Sequence, residues 1–295
     1  MISLVVVLVA VLFQPIVAAR NAPPAAAKAK ITCKLVTGRA YADPIVFHNA
    51  TGNVGHLHTF FGNGSLLALS NPNAANYRTL VGKRTNCENK ADTAGYWTPT
   101  LMDTITGRLV PVTAFTAYYR SFDRRDFGAA RAFPPDTRLV TKASKNTRAS
   151  NWTCGQFAAQ EPVSYIPDCS GTRPGDRLTA HVTFPSCWDG VRPTHGARDR
   201  GRTADNRHYA YRSSSGTCPR AFPHRMVELR VTIGFDYTGP GSNLMLTSDH
   251  EAGTTQGRSL HADFWNTWEQ AGFERMVGNC ITGGRLAPAV KDECG

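Results

Sequence analysis

The chain has 295 residues, of which 41% are hydrophobic, and its 33 Lys and Arg against 22 Asp and Glu give a formal net charge of +11. This length and apolar fraction are those of an ordinary globular protein rather than of a disordered chain, and they are sufficient for one large domain or two smaller ones. The positive charge favours anionic partners such as acidic polysaccharide, cell-wall polymer or nucleic acid, or it serves solubility alone.

The N-terminus has the pattern of a secretory signal over Met1–Ala19. Its aliphatic run from Leu4 to Phe13 is too short to cross a bilayer and is followed by small residues up to Ala19. The start of the chain carries no Lys or Arg, so an uncleaved anchor stays an alternative. Residues 20–30 are rich in Ala and Pro and predict a disordered linker, and residues 31–295 then form a single domain. No later stretch is apolar enough to predict a membrane span, and we expect a secreted, extracellular protein.

All of the cysteines follow the predicted signal. They are Cys33, Cys87, Cys154, Cys169, Cys187, Cys218, Cys280 and Cys294. An even number of cysteines in an exported chain predicts disulfide bonds, although the pairing stays open. The absence of a C-x-x-C motif argues against a zinc ribbon or a thioredoxin-like centre.

Short apolar and alternating segments predict a series of strands along the chain. In order they lie at 31–36, 43–48, 54–63, around 96–97, and at 108–112, 114–120, 177–184, 226–235 and 244–247. Pro44 places the second of these at a sheet edge, and Pro99 places the fourth at an edge or a bulge.

One helix is predicted near the C-terminus, beginning close to Asp263 or Asn266 and ending at Gly278. Asn266 and Glu269 have the spacing of a capping box. Strands outnumber helices and do not alternate with them. The chain is therefore predicted to be mainly β: an antiparallel sandwich or jelly-roll-like domain with long disulfide-braced loops and one C-terminal helix.

The segment from Val54 to Asn63 contains two histidines in alternation with apolar residues. On a strand, His56, His58 and Phe60 share one face. Two imidazoles on one face suit a metal site, an acid/base pair or an anion cradle, and they are equally compatible with structural histidines.

Two further clusters of polar residues follow. One contains His208, and the other combines Asp249 with the His261-Ala-Asp263 segment. Two mechanisms fit these residues. In one, His56 and His58 bind a divalent metal together with His261 or Asp263, and in the other histidines and carboxylates act as general acid and base without a metal. Motifs for nucleotide binding, serine hydrolysis and zincin chemistry are absent, so no nucleotide cofactor is expected.

Six motifs in order carry a resemblance to a known family. They are His56-Leu-His-Thr-Phe-Phe-Gly, Lys90-Ala-Asp-Thr-Ala-Gly-Tyr-Trp-Thr-Pro-Thr-Leu, Tyr118-Tyr-Arg, Phe184-Pro-Ser-Cys-Trp-Asp-Gly, His208-Tyr-Ala-Tyr and His261-Ala-Asp-Phe. Together they resemble the DUF1996 family of secreted fungal and actinobacterial proteins, some of which are joined to sugar-binding WSC modules. The likeness extends from about His48 to Cys280. One segment departs from the pattern and leaves His224 without a role.

The resemblance implies an exported, disulfide-bearing domain with a loose association with polysaccharide, and it implies no established catalytic residue. The candidate catalytic residues on these motifs are His56, His58, His208, Asp249, His261 and Asp263. The candidate substrate-binding residues are Trp97, Tyr119, Arg120, Trp188 and Tyr211. The candidate metal ligands are His56, His58 and His261.

The first functional hypothesis is a secreted polysaccharide-active protein, a hydrolase or lyase that cleaves or modifies cell-wall or plant glycans with its His/Asp cluster. The alternative is a non-catalytic carbohydrate- or cell-wall-binding module. A nucleic-acid-directed protein is motivated by the net charge alone, and no specific nucleic-acid partner is expected. The expected partner is an anionic polysaccharide or cell-wall polymer.

Overall fold

The computed structural model describes residues 28–34, 36–121, 130–141, 149–155, 162–173, 175–196, 201–282 and Cys294. The predicted signal and most of the predicted linker lie outside these residues. The strands are β1 (Lys28–Thr32), β2 (Gly38–Ala40), β3 (His58–Gly62), β4 (Gly95–Pro99), β5 (Leu101–Asp103), β6 (Val112–Arg120), β7 (Arg138–Val140), β8 (Ser150–Cys154), β9 (Leu178–Thr183), β10 (Cys187–Trp188), β11 (Tyr209–Ala210), β12 (His224–Arg225), β13 (Glu228–Phe235), β14 (Leu244–Leu246) and β15 (Asp263–Trp265). The helices are α1 (Tyr77–Leu80) and α2 (Gln270–Val277), the latter continued by a π-helical segment at Gly278–Thr282.

Two five-stranded antiparallel sheets form the body of the protein. The first sheet has the order β1-β6-β13-β9-β8 and the second has the order β2-β3-β4-β15-β7. In the first sheet, alternation sends apolar residues such as Ile31, Val231 and Val182 inward and polar residues outward. The mainly β, antiparallel fold class is therefore confirmed.

The two sheets pack face to face through one large hydrophobic core. Phe61 of the second sheet stacks on Phe115 of the first, with ring centroids 4.2 Å apart, and Phe264 packs against Phe184 at 5.8 Å. This arrangement is that of a β-sandwich, in which the inner faces supply the core.

The outer face of the second sheet is covered by a smaller apolar cluster. Phe60, Trp97 and Trp265 stand on this face, and Ile45 and Leu80 from the connecting segments pack over them. Because side chains alternate along β3, His58 points to the same side as Phe60. The second core thus reaches the histidine segment.

Two smaller sheets and the disulfide bonds tie the connections to this body. The small sheets are β11-β10-β12 and β14-β5. The disulfides join Cys33 to Cys87, Cys154 to Cys169, Cys187 to Cys218 and Cys280 to Cys294. The prediction of disulfides is confirmed, with every cysteine paired. Within the described ranges, each helix is too short or too polar to traverse a lipid bilayer.

Two predictions for the N-terminal part are wrong. Residues 43–48 form a turn rather than an edge strand, because Asp43 Oδ1 accepts hydrogen bonds from the amides of Ile45 (3.0 Å) and Val46 (2.9 Å). The predicted linker ends earlier than expected, since Lys28 to Lys30 already belong to β1. Backbone pairing with β6 and burial of Ala29 keep that segment in the sheet.

Predictions for two later elements are also wrong. Helix α2 begins after Glu269, whose carboxylate accepts from the Gly272 amide at 2.7 Å. Asn266 instead donates to the carbonyl oxygens of Phe133 and Pro134. Strand β4 lies in the middle of the second sheet rather than at an edge, because Pro99 is its last residue and leaves the earlier amides free to pair.

A buried polar network crosses the main core. Asp92 accepts hydrogen bonds from the Tyr96 hydroxyl (2.9 Å) and from the Ala94 amide (3.1 Å). Tyr96 shares a 2.6 Å hydrogen bond with the Tyr119 hydroxyl, which also accepts from Trp268 Nε1 at 3.0 Å. Burial raises the pKa of Asp92 to about 7, because the charged carboxylate loses its hydration.

This raised pKa predicts a stability that falls as the pH rises. The folded state binds the Asp92 proton more tightly than the unfolded chain, whose carboxyl has a pKa near 3.8. The contribution is therefore fully present below about pH 4 and is lost as the pH rises through about 7, a loss on the order of 4 kcal/mol. Urea unfolding of the wild type and of Asp92→Asn at pH 5 and pH 8 measures this pH dependence. We expect the free energy of unfolding to differ less between the two pH values in the variant than in the wild type. Equal differences in the two proteins would contradict the raised pKa of Asp92.

Candidate metal centre

Three segments that are distant in sequence place three histidines side by side. His58 is the first residue of β3, and His56 lies just before the strand. Gly55 takes a φ of +64°, and a Cβ there would lie 2.9 Å from the Phe47 ring, so the turn before His56 requires glycine. The Leu57 carbonyl accepts from Thr100 N and Thr247 Oγ1, which fixes the backbone between the two histidines.

The third histidine enters from the loop before β15. Asp249 is fully buried and holds this loop, since its carboxylate accepts from the amides of Leu246, Gly257 and Ser259 and from the Ser259 hydroxyl. Thr98 Oγ1 donates to the His261 carbonyl at 2.8 Å. The His261 ring then lies 5.1 Å from His56 and 5.8 Å from His58, centroid to centroid.

Each imidazole has its Nδ1 atom at hydrogen-bond distance from an oxygen acceptor. His56 Nδ1 lies 3.0 Å from Glu251 Oε2, His58 Nδ1 lies 2.9 Å from the Ala42 carbonyl, and His261 Nδ1 lies 2.9 Å from the Ser259 carbonyl. An ionised carboxylate and a carbonyl accept but do not donate, so each Nδ1 carries the proton. The neutral form of every ring then presents a bare lone pair at Nε2.

These lone pairs converge on one another. His56 Nε2 and His261 Nε2 lie 3.3 Å apart, and the three ligand atoms all lie within 4.8 Å of one another. Two nitrogens bound to one zinc ion, each at about 2.0 to 2.1 Å with tetrahedral geometry, are separated by roughly 3.3 Å. His58 Nε2 has no hydrogen-bond partner in the described part of the chain. The three rings are therefore close enough to one another to bind a single metal ion.

Burial keeps two of these rings neutral. Desolvation lowers the pKa of His58 well below its usual range, and the neighbouring His56 and His261 lower it further. Desolvation likewise lowers the pKa of His261 to about 4. The neutral imidazole is the form that binds metal ions, so the ligands need not lose protons near pH 7.

A buried carboxylate pair lies on the inner side of this cluster. Ligand atoms of Asp43, His58 and Asp263 also lie within 4.8 Å of one another, and all three residues are buried. Both Asp263 oxygens are without a hydrogen-bond partner among the described residues. Burial and the Asp43 carboxylate raise the pKa of Asp263 well above its usual range. The raised pKa favours the neutral acid in the absence of a cation, and a cation bound nearby would stabilise the ionised carboxylate.

The outer side of the cluster opens to solvent. The His56 side chain is 14% exposed and Glu251 is 52% exposed, whereas His58 is buried. The solvent-accessible side of the cluster is therefore the side of His56 and Glu251. Three histidine ligands with one accessible side are typical of catalytic rather than structural zinc sites.

Of the six candidate catalytic residues, the structure brings four together. His56, His58, His261 and Asp263 belong to the two overlapping ligand groups. His208 instead pairs with Asp189 at 2.8 Å and accepts from Arg207 at 2.9 Å. Asp249 uses its carboxylate to hold the loop, so its assignment as a catalytic group is replaced by a structural one.

The five candidate substrate-binding residues do not form one surface. Trp97 and Tyr119 are buried in the two cores, which excludes contact with a polymer. Arg120 forms an ion pair with Glu228 at 2.7 Å on the first sheet. Trp188 is half-buried and stacks on Tyr209, and Tyr211 is 43% exposed while its hydroxyl donates to the Thr183 carbonyl.

Two residues of the site were not among the candidates. Glu251 stands two residues after Asp249, within the polar segment that the sequence singles out. Its position next to Asp249 is the sequence signal that points to it. Asp43 follows no such pattern, because the turn that it begins reaches the site through tertiary packing alone.

Comparison with known proteins agrees with the motifs. A family model described as a domain of unknown function, DUF1996, matches residues 43–268. No curated protein and no solved structure matches the chain. The matched region contains all three histidines together with Asp43, Glu251 and Asp263. The chain belongs to the DUF1996 family.

Proposed function

We propose that this protein is a secreted, metal-dependent enzyme that cleaves or modifies polysaccharide, with its metal bound by His56, His58 and His261. The observation that carries the proposal is the 3.3 Å approach of two Nε2 atoms whose rings both have Nδ1 at hydrogen-bond distance from an oxygen acceptor. Two lone pairs at that distance repel each other, and a shared cation converts the repulsion into binding.

The donor set favours a borderline transition metal. Neutral imidazoles suit zinc and copper, whereas calcium and magnesium require a shell of oxygen ligands. The bond from His56 to Glu251 is a carboxylate–histidine pair of the kind that orients a ligand and raises its basicity. A divalent ion held by these three neutral ligands would keep its charge, and it would supply the chemistry of polarising a substrate oxygen or of lowering the pKa of water.

Protein groups supply the remaining chemistry of the proposal. Glu251 is half-exposed and accepts the His56 Nδ1 proton, which orients this ring and raises the basicity of its Nε2 atom. Asp263 is buried next to His58 and offers a carboxylate that balances the positive charge.

Three properties support an exported polysaccharide as the substrate class. The four disulfides are typical of proteins from oxidising compartments. The N-terminal pattern is that of a secretory signal. The net charge of +11 attracts acidic wall polymers. Secretion and the acidic polysaccharide substrate are both part of what we propose.

Metal analysis tests the three ligands. After loading with Zn²⁺ and removal of excess ion, the wild-type protein is expected to hold about one ion per chain. Substitution His58→Ala or His261→Ala deletes a donor, so affinity should fall by more than the roughly 10- to 100-fold that loss of an outer partner costs. His208→Ala is the matched control, because its histidine also pairs with a carboxylate. An equal loss in the control, or no ion in the wild type, would refute the centre.

The outer carboxylate is tested separately. Glu251→Gln keeps an acceptor for the His56 proton but removes the charge, so we expect metal affinity to fall by roughly 10- to 100-fold. Asp189→Asn makes the same change beside His208 and should leave affinity unchanged. Isothermal titration with Zn²⁺ measures both. Wild-type affinity in Glu251→Gln would show that this carboxylate does not support a ligand.

Activity is tested on a panel of acidic and neutral wall polysaccharides, with product release measured by chromatography. We expect products from at least one polymer, their loss after treatment with a chelator, and recovery when metal is restored. The His58→Ala variant should release none. Products that persist in the chelator would argue against a metal mechanism, and a metal-loaded protein that releases none would identify a binding module instead.

A further inference from the structure

The outer face of the first sheet carries a groove of about 780 Å³ that is separate from the histidines. Its floor is made by alternate residues of β1, β6, β13 and β9, whose other residues fill the main core. The histidine cluster stands on the outer face of the second sheet. Because the two sheets pack through the main core, the groove and the cluster lie on opposite sides of the sandwich.

The register of the strands orders the groove into rows. Lys30, Tyr118 and Arg230 stand opposite one another across β1, β6 and β13. The neighbouring row contains Thr116 and Thr232. Adjacent strands are about 4.8 Å apart, so each row presents side chains at regular intervals across the sheet. Such a surface suits an extended ligand rather than a compact one.

Positive charge dominates this groove. Among the described residues that line it, five are Lys or Arg, and Asp176 is the one carboxylate. Arg120 and Arg177 are engaged with Glu228 and Asp236. Lys28 and Lys30 are exposed at one border and add two ammonium groups. The excess charge favours an anionic ligand.

The uncharged lining indicates which anion fits. Threonine hydroxyls from β6, β9 and β13 supply hydrogen bonds for a hydroxyl-rich ligand, and the aromatic rings among the described lining residues are the phenol of Tyr118 and the buried imidazole of His181. Single-stranded nucleic acid needs several stacking rings, and membrane surfaces need protruding apolar side chains. Carboxylate-bearing sugars need cations and hydroxyl groups, both of which are present.

We infer that this groove is a binding site for an acidic polysaccharide, a polyuronate chain, which it holds independently of the metal centre. The inference goes beyond the proposed function, because a polymer on the first sheet does not touch the histidines. The groove anchors the protein on an anionic wall polymer and leaves the opposite face accessible.

The test compares two charge reversals of equal size. Lys28→Glu/Lys30→Glu alters the groove, and Lys83→Glu/Arg84→Glu makes the same change in net charge at two exposed residues outside it. Binding to polygalacturonate at physiological salt is measured in the full-length protein. We expect the groove variant to bind at least about tenfold more weakly and the control to bind within about twofold of the wild type. Lys28→Gln/Lys30→Gln, a milder change on the same strand, should show an intermediate loss.

Further probes separate the possible ligands and the two proposals. A neutral β-glucan should bind weakly and equally to all variants, and His58→Ala should retain wild-type affinity for polygalacturonate. Equal losses in the two charge reversals would reduce the binding to nonspecific attraction and overturn the inference. So would tighter, Lys28/Lys30-dependent binding of single-stranded DNA or of anionic vesicles. Loss of polymer binding in His58→Ala would place the polymer at the metal centre instead.

Discussion

The candidate site depends on the tautomer of three imidazoles. Each ring donates from Nδ1 to an oxygen, and this forces the Nε2 lone pairs into a common space. Two of the acceptors are backbone carbonyls, of Ala42 and Ser259, so the fold itself fixes the orientation of His58 and His261. Without these acceptors, the rings would be free to adopt the other tautomer and share protons among themselves.

The sandwich explains why such acceptors stand where they are needed. The second core draws the segment that contains Ala42 and Ile45 over the outer face of the second sheet, next to the start of β3. Asp249 shapes the opposite loop and thereby places the Ser259 carbonyl beneath His261. Asp249 contacts none of the three histidines, and it contributes to the site through the loop that it holds.

Local periodicity was sufficient for part of the fold and of the site. Clean alternation of apolar residues predicts strands at 177–184 and 226–235, and β9 and β13 lie within these segments. The spacing of His56 and His58 identifies them as a candidate pair. At 43–48 the apolar run predicts a strand, but the Asp43 side chain accepts hydrogen bonds from two following amides and holds the segment in a turn.

Partners that arrive through tertiary contacts were harder to predict. Sequence order does not reveal which of two nearby carboxylates points at a histidine. The pattern names Asp249, whereas Glu251 makes the bond to His56. The same limit applies to Tyr119, whose motif suggested a ligand surface but whose hydroxyl completes a buried network with Tyr96 and Trp268. The sequence alone does not show whether an aromatic ring lies in the core or on a binding surface.

The most direct test of the metal centre is a crystal structure of the zinc-loaded protein with anomalous data collected on both sides of the zinc absorption edge. The account predicts one zinc-specific peak at about 2.0 to 2.1 Å from the Nε2 atoms of His56, His58 and His261. Absence of a peak between these rings, or a peak bound by Nδ1 atoms or by residues elsewhere in the chain, would contradict it.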